Sequence, residues 1–319
     1  MLFLTVPTQV SARFGGTIMS FRLAISSAAA LLVVCSPSGP EADAAIVQDE
    51  RPQVSIETID LGDGLYMLST GMAGNLALLT GADGAVMIDD QLPNMARIIE
   101  TAVIELTGEN APRFLINTHW HGDHTGNNAL FANRGSMIAA HHNVRTRIEA
   151  SERSWASDPA ALPIMTFGED LILHLNGQTI EVTHLANAHT DGDAIVYFRE
   201  ADVLHMGDIF FSGRFSYIDL VNGGSVDGVI SALEYGLGMA GENTRIIPGH
   251  GPLSTRTELQ AVINMLRETS GRVRQMVQAG DNLDDIGAAN LLADYSDWNW
   301  GISSERMLRI LYEDAMARR

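Results

Sequence analysis

The stretch His119-Trp120-His121-Gly122-Asp123-His124 places four metal-ligand side chains within six residues, immediately after the apolar run Arg113–Asn117. Imidazole nitrogen and carboxylate oxygen are ligands for Zn²⁺ and similar borderline ions. His119 and His121 stand two apart, so on an extended segment they point the same way. Gly122 is expected to let the chain turn, so that Asp123 and His124 approach a second ion. Further ligand types follow at His189 in a Gly/Ala/Asp-rich turn, Asp208 in Met-Gly-Asp and His250 in Pro-Gly-His-Gly. Seven such residues, most of them beside a turn glycine or closing an apolar run, suit a two-metal hydrolytic centre.

Working outward, short β-type runs at Ile56–Leu61, Leu65–Ser69, Asn75–Thr80 and Ala85–Asp89 lead to a helix at about Pro93–Leu106. Past the cluster, helices are expected near Gly126–Ala132 and Asn143–Arg153, with a strand at Met137–Ala140 between them. The second half repeats the theme with strands at Leu171–Leu175, Thr179–His184, Ala194–Phe198 and Val203–Met206. A helix at Val226–Met239 and a strand at Thr244–Ile247 complete it. Two β-rich halves with helices between them predict two packed sheets covered by helices on the outside. The ligand types fall at the carboxyl ends of strands, where α/β proteins keep functional loops. Beyond Pro252, apolar residues recur at helical spacing, so 253–319 reads as a C-terminal helical extension that roofs the site.

At the other end, Arg22, the apolar stretch Leu23–Val34 and Ala42-Asp43-Ala44 read as a cleavable export signal over 1–44, too short to span a membrane. Met19 is an alternative start. The expected location is periplasmic or secreted; a lipid anchor at Cys35, the only cysteine, is the competing reading. The chain carries 39 acidic and 20 basic residues, a net charge of −19, and every basic residue is Arg. That balance excludes a nucleic-acid partner or an anionic membrane surface, which need clustered cations.

The ordered motifs Asp89, His119/His121/Asp123/His124, His189, Asp208 and His250 resemble the metallo-β-lactamase superfamily, with the likeness running from about residue 55 to 252. The resemblance implies an αβ/βα sandwich, making 45–252 the catalytic domain, and two Zn²⁺ ions per chain. His119, His121 and His189 would hold the first ion, and Asp123, His124 and His250 the second. Asp208 would bridge them, while Asp89 would fix the ligand loop by hydrogen bonds. Asp208 stands where several antibiotic-degrading members carry Cys or Ser, and is typical of the thioesterase, lactonase and ribonuclease branches.

The expected chemistry is hydrolysis of a carbonyl by a hydroxide shared between the ions, with Asp123 and Asp208 as catalytic residues. The substrate expected is a small anionic acyl compound, a β-lactam first, with a thioester, lactone or carboxylic ester as the alternative. A mononuclear iron oxygenase like the persulfide dioxygenases is the reading from another class. Trp120, Arg214 and Tyr217 are the candidate substrate contacts, with Phe210, Phe211 and Phe215 as an aromatic wall. His174, His184 and His205 read as structural, and His141 and His142 as starting a helix.

Overall fold

The computed structural model describes residues 54–319. The expected leader and Cys35 lie outside them. Seven strands form the first sheet in chain order: β1 (Glu57–Asp60), β2 (Leu65–Ser69), β3 (Leu76–Leu79), β4 (Val86–Ile88), β5 (Phe114–Ile116), β6 (Met137–His141) and β7 (Met165–Phe167). Pairing is antiparallel from β1 to β4 and parallel from β4 to β7. The second sheet runs in the order β12-β11-β10-β9-β8, from β8 (Asp170–Leu175), β9 (Gln178–His184), β10 (Ala194–Phe198), β11 (Val203–His205) and β12 (Arg245–Ile247). Only the β11–β12 pair is parallel in it. The helices are α1 (Ala96–Thr107), α2 (Gly122–Thr125), α3 (Asn128–Ala132), α4 (His142–Glu149), α5 (Val226–Met239), α6 (Arg256–Ala279), α7 (Leu283–Ala288) and α8 (Ser304–Ala317).

Side-chain alternation along the strands builds the layers. Ala77 and Leu79 of β3 join Val196, Phe198 and Val203 in a core between the sheets. Leu76 and Leu78 point the other way, into a core with Ile99 and Val103 of α1 and Phe131 of α3. Ile195 and Leu204 leave the second sheet on its far face and meet Val229 and Leu233 of α5, Leu266 of α6 and Leu311 of α8. Strands buried on both faces need apolar residues throughout, which is why β3 reads Leu-Ala-Leu-Leu. The result is the expected helix/sheet/sheet/helix sandwich with C-terminal helices packed on its second half. Among the described residues no helix is long and apolar enough to cross a membrane.

Two local readings need correction. Gly122 does not make its turn through a left-handed backbone; it opens the short helix α2. Its lack of a side chain serves space instead, since a Cβ there would stand 2.7 Å from Nε1 of Trp155. Strand β7 was not expected, because its three residues, Met-Thr-Phe, carry no alternation long enough to read. His141 ends β6 and caps α4 by accepting from the amide of Asn143. Its ring stacks on His184 at 3.7 Å, and burial together with His184 and His142 lowers it to about 4.

Candidate metal centre

The strands of both sheets end at one rim, and the ligand candidates sit on the loops there. Asp89 follows β4, His119 to His124 follow β5, His189 lies between β9 and β10, Asp208 follows β11 and His250 follows β12. The structure brings all seven proposed ligands into two adjoining groups. One contains His119, His121, His189 and Asp208, the other Asp123, His124 and His250.

In the first group Nε2 of His119 and Nε2 of His189 stand 3.1 and 2.9 Å from Nδ1 of His121. In the neutral rings none of these three nitrogens carries the proton, because each ring commits it elsewhere. His189 donates from Nδ1 to the Tyr217 carbonyl at 2.7 Å, and His121 from Nε2 to Asp219 at 3.0 Å. His119 donates from Nδ1 to the Thr118 hydroxyl at 3.1 Å. Three acceptors that face one another without a proton between them repel unless a cation joins them. Outer hydrogen bonds of this kind select the tautomer that a metal ligand needs.

Asp208 joins the two groups. Its Oδ2 lies 3.7 and 3.5 Å from the nitrogens of His119 and His189, while Oδ1 lies 3.0 and 3.2 Å from those of His124 and His250. Oδ2 of Asp123 completes the second group, 3.3 Å from His250 and 3.7 Å from His124. Nε2 of His124 and Oδ1 of Asp208 are buried and make no hydrogen bond, even with each other at this short range. Buried polar atoms are rarely left so. With both carboxylates and all five imidazoles directed inward, the residues fit two borderline divalent ions.

Asp89 hydrogen-bonds to the segment that carries the ligands. Its backbone is held at φ 60° by the bonds it accepts, from the Thr118 amide, the Thr118 hydroxyl and Nδ1 of His124, each 2.7 Å. The last of these directs the lone pair of His124 Nε2 into the second group. His250 is oriented differently, by stacking on Phe211 at 4.7 Å.

The electrostatics follow from this crowding. Burial works to raise Asp208, but His124, His250 and His119 outweigh it and hold the carboxyl well below its usual range. Asp123 is likewise held at about 2 by His124 and His250 against burial. Burial and the neighbouring His124 push His119 well down. His250 is raised to about 9, since Asp208 and Asp123 overcome the burial that would lower it. Divalent ions bound by such imidazoles take the place of their protons.

Beside the groups opens a cleft of about 680 Å³. Trp120 and Tyr217 line it, and so do Trp155, Phe211, Trp300, Ile302, Arg153 and Arg306. Arg214 does not: its guanidinium lies over the Trp300 ring at 3.6 Å, and Trp300 takes the place on the cleft wall. Phe210 and Phe215 turn into the helix-side core, leaving Phe211 as the only one of the three on the cleft. Trp300 and Arg306 show that the C-terminal helical segment does reach the site.

Asp219, which the sequence reading missed, is the partner of a ligand candidate. It lies 98 residues from His121 in no ligand-like motif, so only the fold reveals the contact. Burial would raise it, yet bonds from His121 and Asn222 hold it at about 2. Asp219→Ala is expected to weaken metal binding by about 10- to 100-fold, the usual cost of losing such a partner. Asp219→Asn keeps an acceptor oxygen and should lose less. Titration of the purified variants against a competing chelator measures both; equal affinity in Asp219→Ala and the parent would remove this role.

Residues 69–250 match the family model described as the metallo-beta-lactamase superfamily. The 2,4-dinitroanisole O-demethylase subunit alpha of Nocardioides sp. (strain JS1661) is 28% identical over 160 residues, covering 50% of this chain and 48% of that protein. Hydroxyacylglutathione hydrolase of Nitrosococcus oceani is 28% identical over 138 residues, covering 43% of this chain and 47% of that protein. The chain thus spans about half the length of these curated relatives. Among solved structures, that of DIM-1 metallo-beta-lactamase superposes with a TM-score of 0.56 at 17% identity, covering 67% of this chain and 97% of that one. At that identity the likeness is one of fold.

Proposed function

The chain belongs to the metallo-β-lactamase superfamily, and from that premise we propose that it is an exported two-zinc hydrolase cleaving the acyl bond of a small anionic substrate. It is a metal-dependent hydrolase by family and by its His/Asp site; zinc, export and substrate are the finer parts of the reading. The observation that carries it is Asp208, which offers one carboxylate oxygen to each ligand group.

In this reading His119, His121 and His189 would hold one ion, Asp123, His124 and His250 the other, and Asp208 would serve both. A pair of zinc ions, when bound, supplies Lewis acidity and lowers the pKa of water to about 7. The protein contributes the positions. Asp123 is the ligand-group carboxylate most open to the cleft, with 27% of its side chain exposed against 5% for Asp208, so it is placed to orient a water. Tyr217 keeps its phenolic proton, because burial and nearby Asp219 push its pKa up. It is therefore a hydrogen-bond donor for developing charge on a carbonyl oxygen. Trp120, Trp155 and Phe211 exclude water from the apolar part of a ligand.

β-Lactam ring opening is the first substrate class, supported by the export signal read in the sequence. A thioester is the second, favoured by the aspartate at 208 and by the match to a hydroxyacylglutathione hydrolase. The test is a panel of penicillin, cephalosporin, carbapenem, thioester, lactone and p-nitrophenyl ester on the zinc-loaded protein, with elemental analysis. Two zinc ions per chain and β-lactam turnover are expected. Turnover of the thioester or lactone alone moves the assignment to the second class, and one iron per chain would replace it with the oxygenase reading.

A further inference from the structure

Besides its histidines, the cleft is lined by three aspartates and two arginines: Asp123, Asp208, Asp219, Arg153 and Arg306. The three carboxylates are engaged with histidines. The two arginines are not engaged with anything acidic. Among the described residues, seven arginines form ion pairs; Arg153 and Arg306 belong to those with no carboxylate within 4 Å. What sets these two apart is their place: they are the arginines that line the cleft.

Both arginines stand on elements that reach the ligand loop. Arg306 lies in the first turn of α8, where its amide donates to Ser303 at 3.2 Å. Its guanidinium carbon sits 4.9 Å from the Tyr217 ring centre, and that ring lies 6.0 Å from His121. The cation is therefore one aromatic ring away from the first ligand group. Arg153 precedes the turn that carries Trp155, the ring packed against Gly122. A guanidinium is a fork that matches carboxylate, sulfonate or phosphate oxygens, and a flat ring under it keeps it in place without neutralising it.

We propose that Arg306, with Arg153 as a second cation, forms an anion subsite separate from the metal ligands. The substrate is then an anion with an aromatic or apolar body: its acid group binds Arg306 while its body lies against Trp120, Trp155 and Trp300. This deepens the hydrolase reading for what happens to the substrate and is independent of it for binding.

The experiment is calorimetric titration of the metal-loaded protein with 2-naphthalenesulfonate, whose sulfonate is a poor metal ligand, and with uncharged methyl 2-naphthyl sulfone. The parent is expected to bind the sulfonate about tenfold tighter than the sulfone, which corresponds to one charge-assisted contact. Arg306→Gln should bring the two ligands within about twofold, and Arg153→Gln should narrow the gap by less. Arg309→Gln, on the same helix but paired with Glu305, controls for loss of a charge and should keep the full gap. Equal affinity of the parent for both ligands, or a gap that survives Arg306→Gln, overturns the subsite. No bond is cleaved in this assay. A protein that binds sulfonate through Arg306 yet hydrolyses nothing in the acyl panel keeps the subsite and loses the hydrolase reading. An active enzyme indifferent to Arg306→Gln does the reverse.

Discussion

Replacement of Asp208 by alanine is expected to lower hydrolysis by about 10³-fold or more, beyond the 10- to 100-fold that loss of an outer partner costs. Bound metal should fall from about two ions per chain to one or fewer. The reason is geometric: among the described residues Asp208 is the one carboxylate within 4 Å of histidine nitrogens in both ligand groups, through Oδ2 to His119 and His189 and through Oδ1 to His124 and His250. Removing it also leaves four buried imidazoles without their shared anion, so the groups lose the charge that lets two dications sit side by side. Asp208→Asn separates the two effects, since it keeps one oxygen and drops the charge. It should retain one ion and little activity. Elemental analysis beside circular dichroism decides the matter: a folded Asp208→Ala protein that still holds two ions would show that the carboxylate does not join them.

The parts of this site that could be read from the sequence are those that chemistry concentrates locally. His119, His121, Asp123 and His124 share six residues, and Asp208 and His250 each lie beside a glycine at the end of an apolar strand. The two sheets were legible for a similar reason, since Leu65–Ser69 and Ala194–Phe198 announce strands by composition and length. What was not legible depends on chain segments that meet only after folding. Asp219 reaches His121 across 98 residues, and Arg306 reaches Tyr217 from the last helix. Arg214, chosen for being close to Asp208 in sequence, is instead taken up by Trp300. Nearness along the chain pointed to Arg214, but of the segment from Phe211 to Tyr217 only its two ends line the cleft.

Gly249→Ala is expected to damage the centre almost as severely as loss of a ligand, although Gly249 offers no ligand atom. A Cβ built there stands 2.1 Å from Oδ1 of Asp208 and 2.6 Å from the carbonyl carbon of Gly207. Its φ is not in the left-handed region, so the objection is one of space rather than backbone strain. Neither side can yield cheaply. The Gly249 amide donates to the carbonyl of Gly207 at 2.7 Å, and its own carbonyl accepts from the Asn75 amide at 2.8 Å. If the Asp208 carboxylate swings away, it abandons His124 and His250; if the loop shifts, His250 moves with it. Both escapes displace ligand atoms by about 1 Å, enough to cost about 10²-fold in rate. The second ion should be lost along with it. The matched comparison is Gly271→Ala in the middle of α6, where a Cβ meets nothing within 4 Å. There the added methyl should stabilise the helix by about 0.4–1 kcal/mol and leave metal content and activity alone. If thermal melting, metal content and turnover respond alike in the two variants, the close approach at Gly249 is not what holds Asp208 between the two groups.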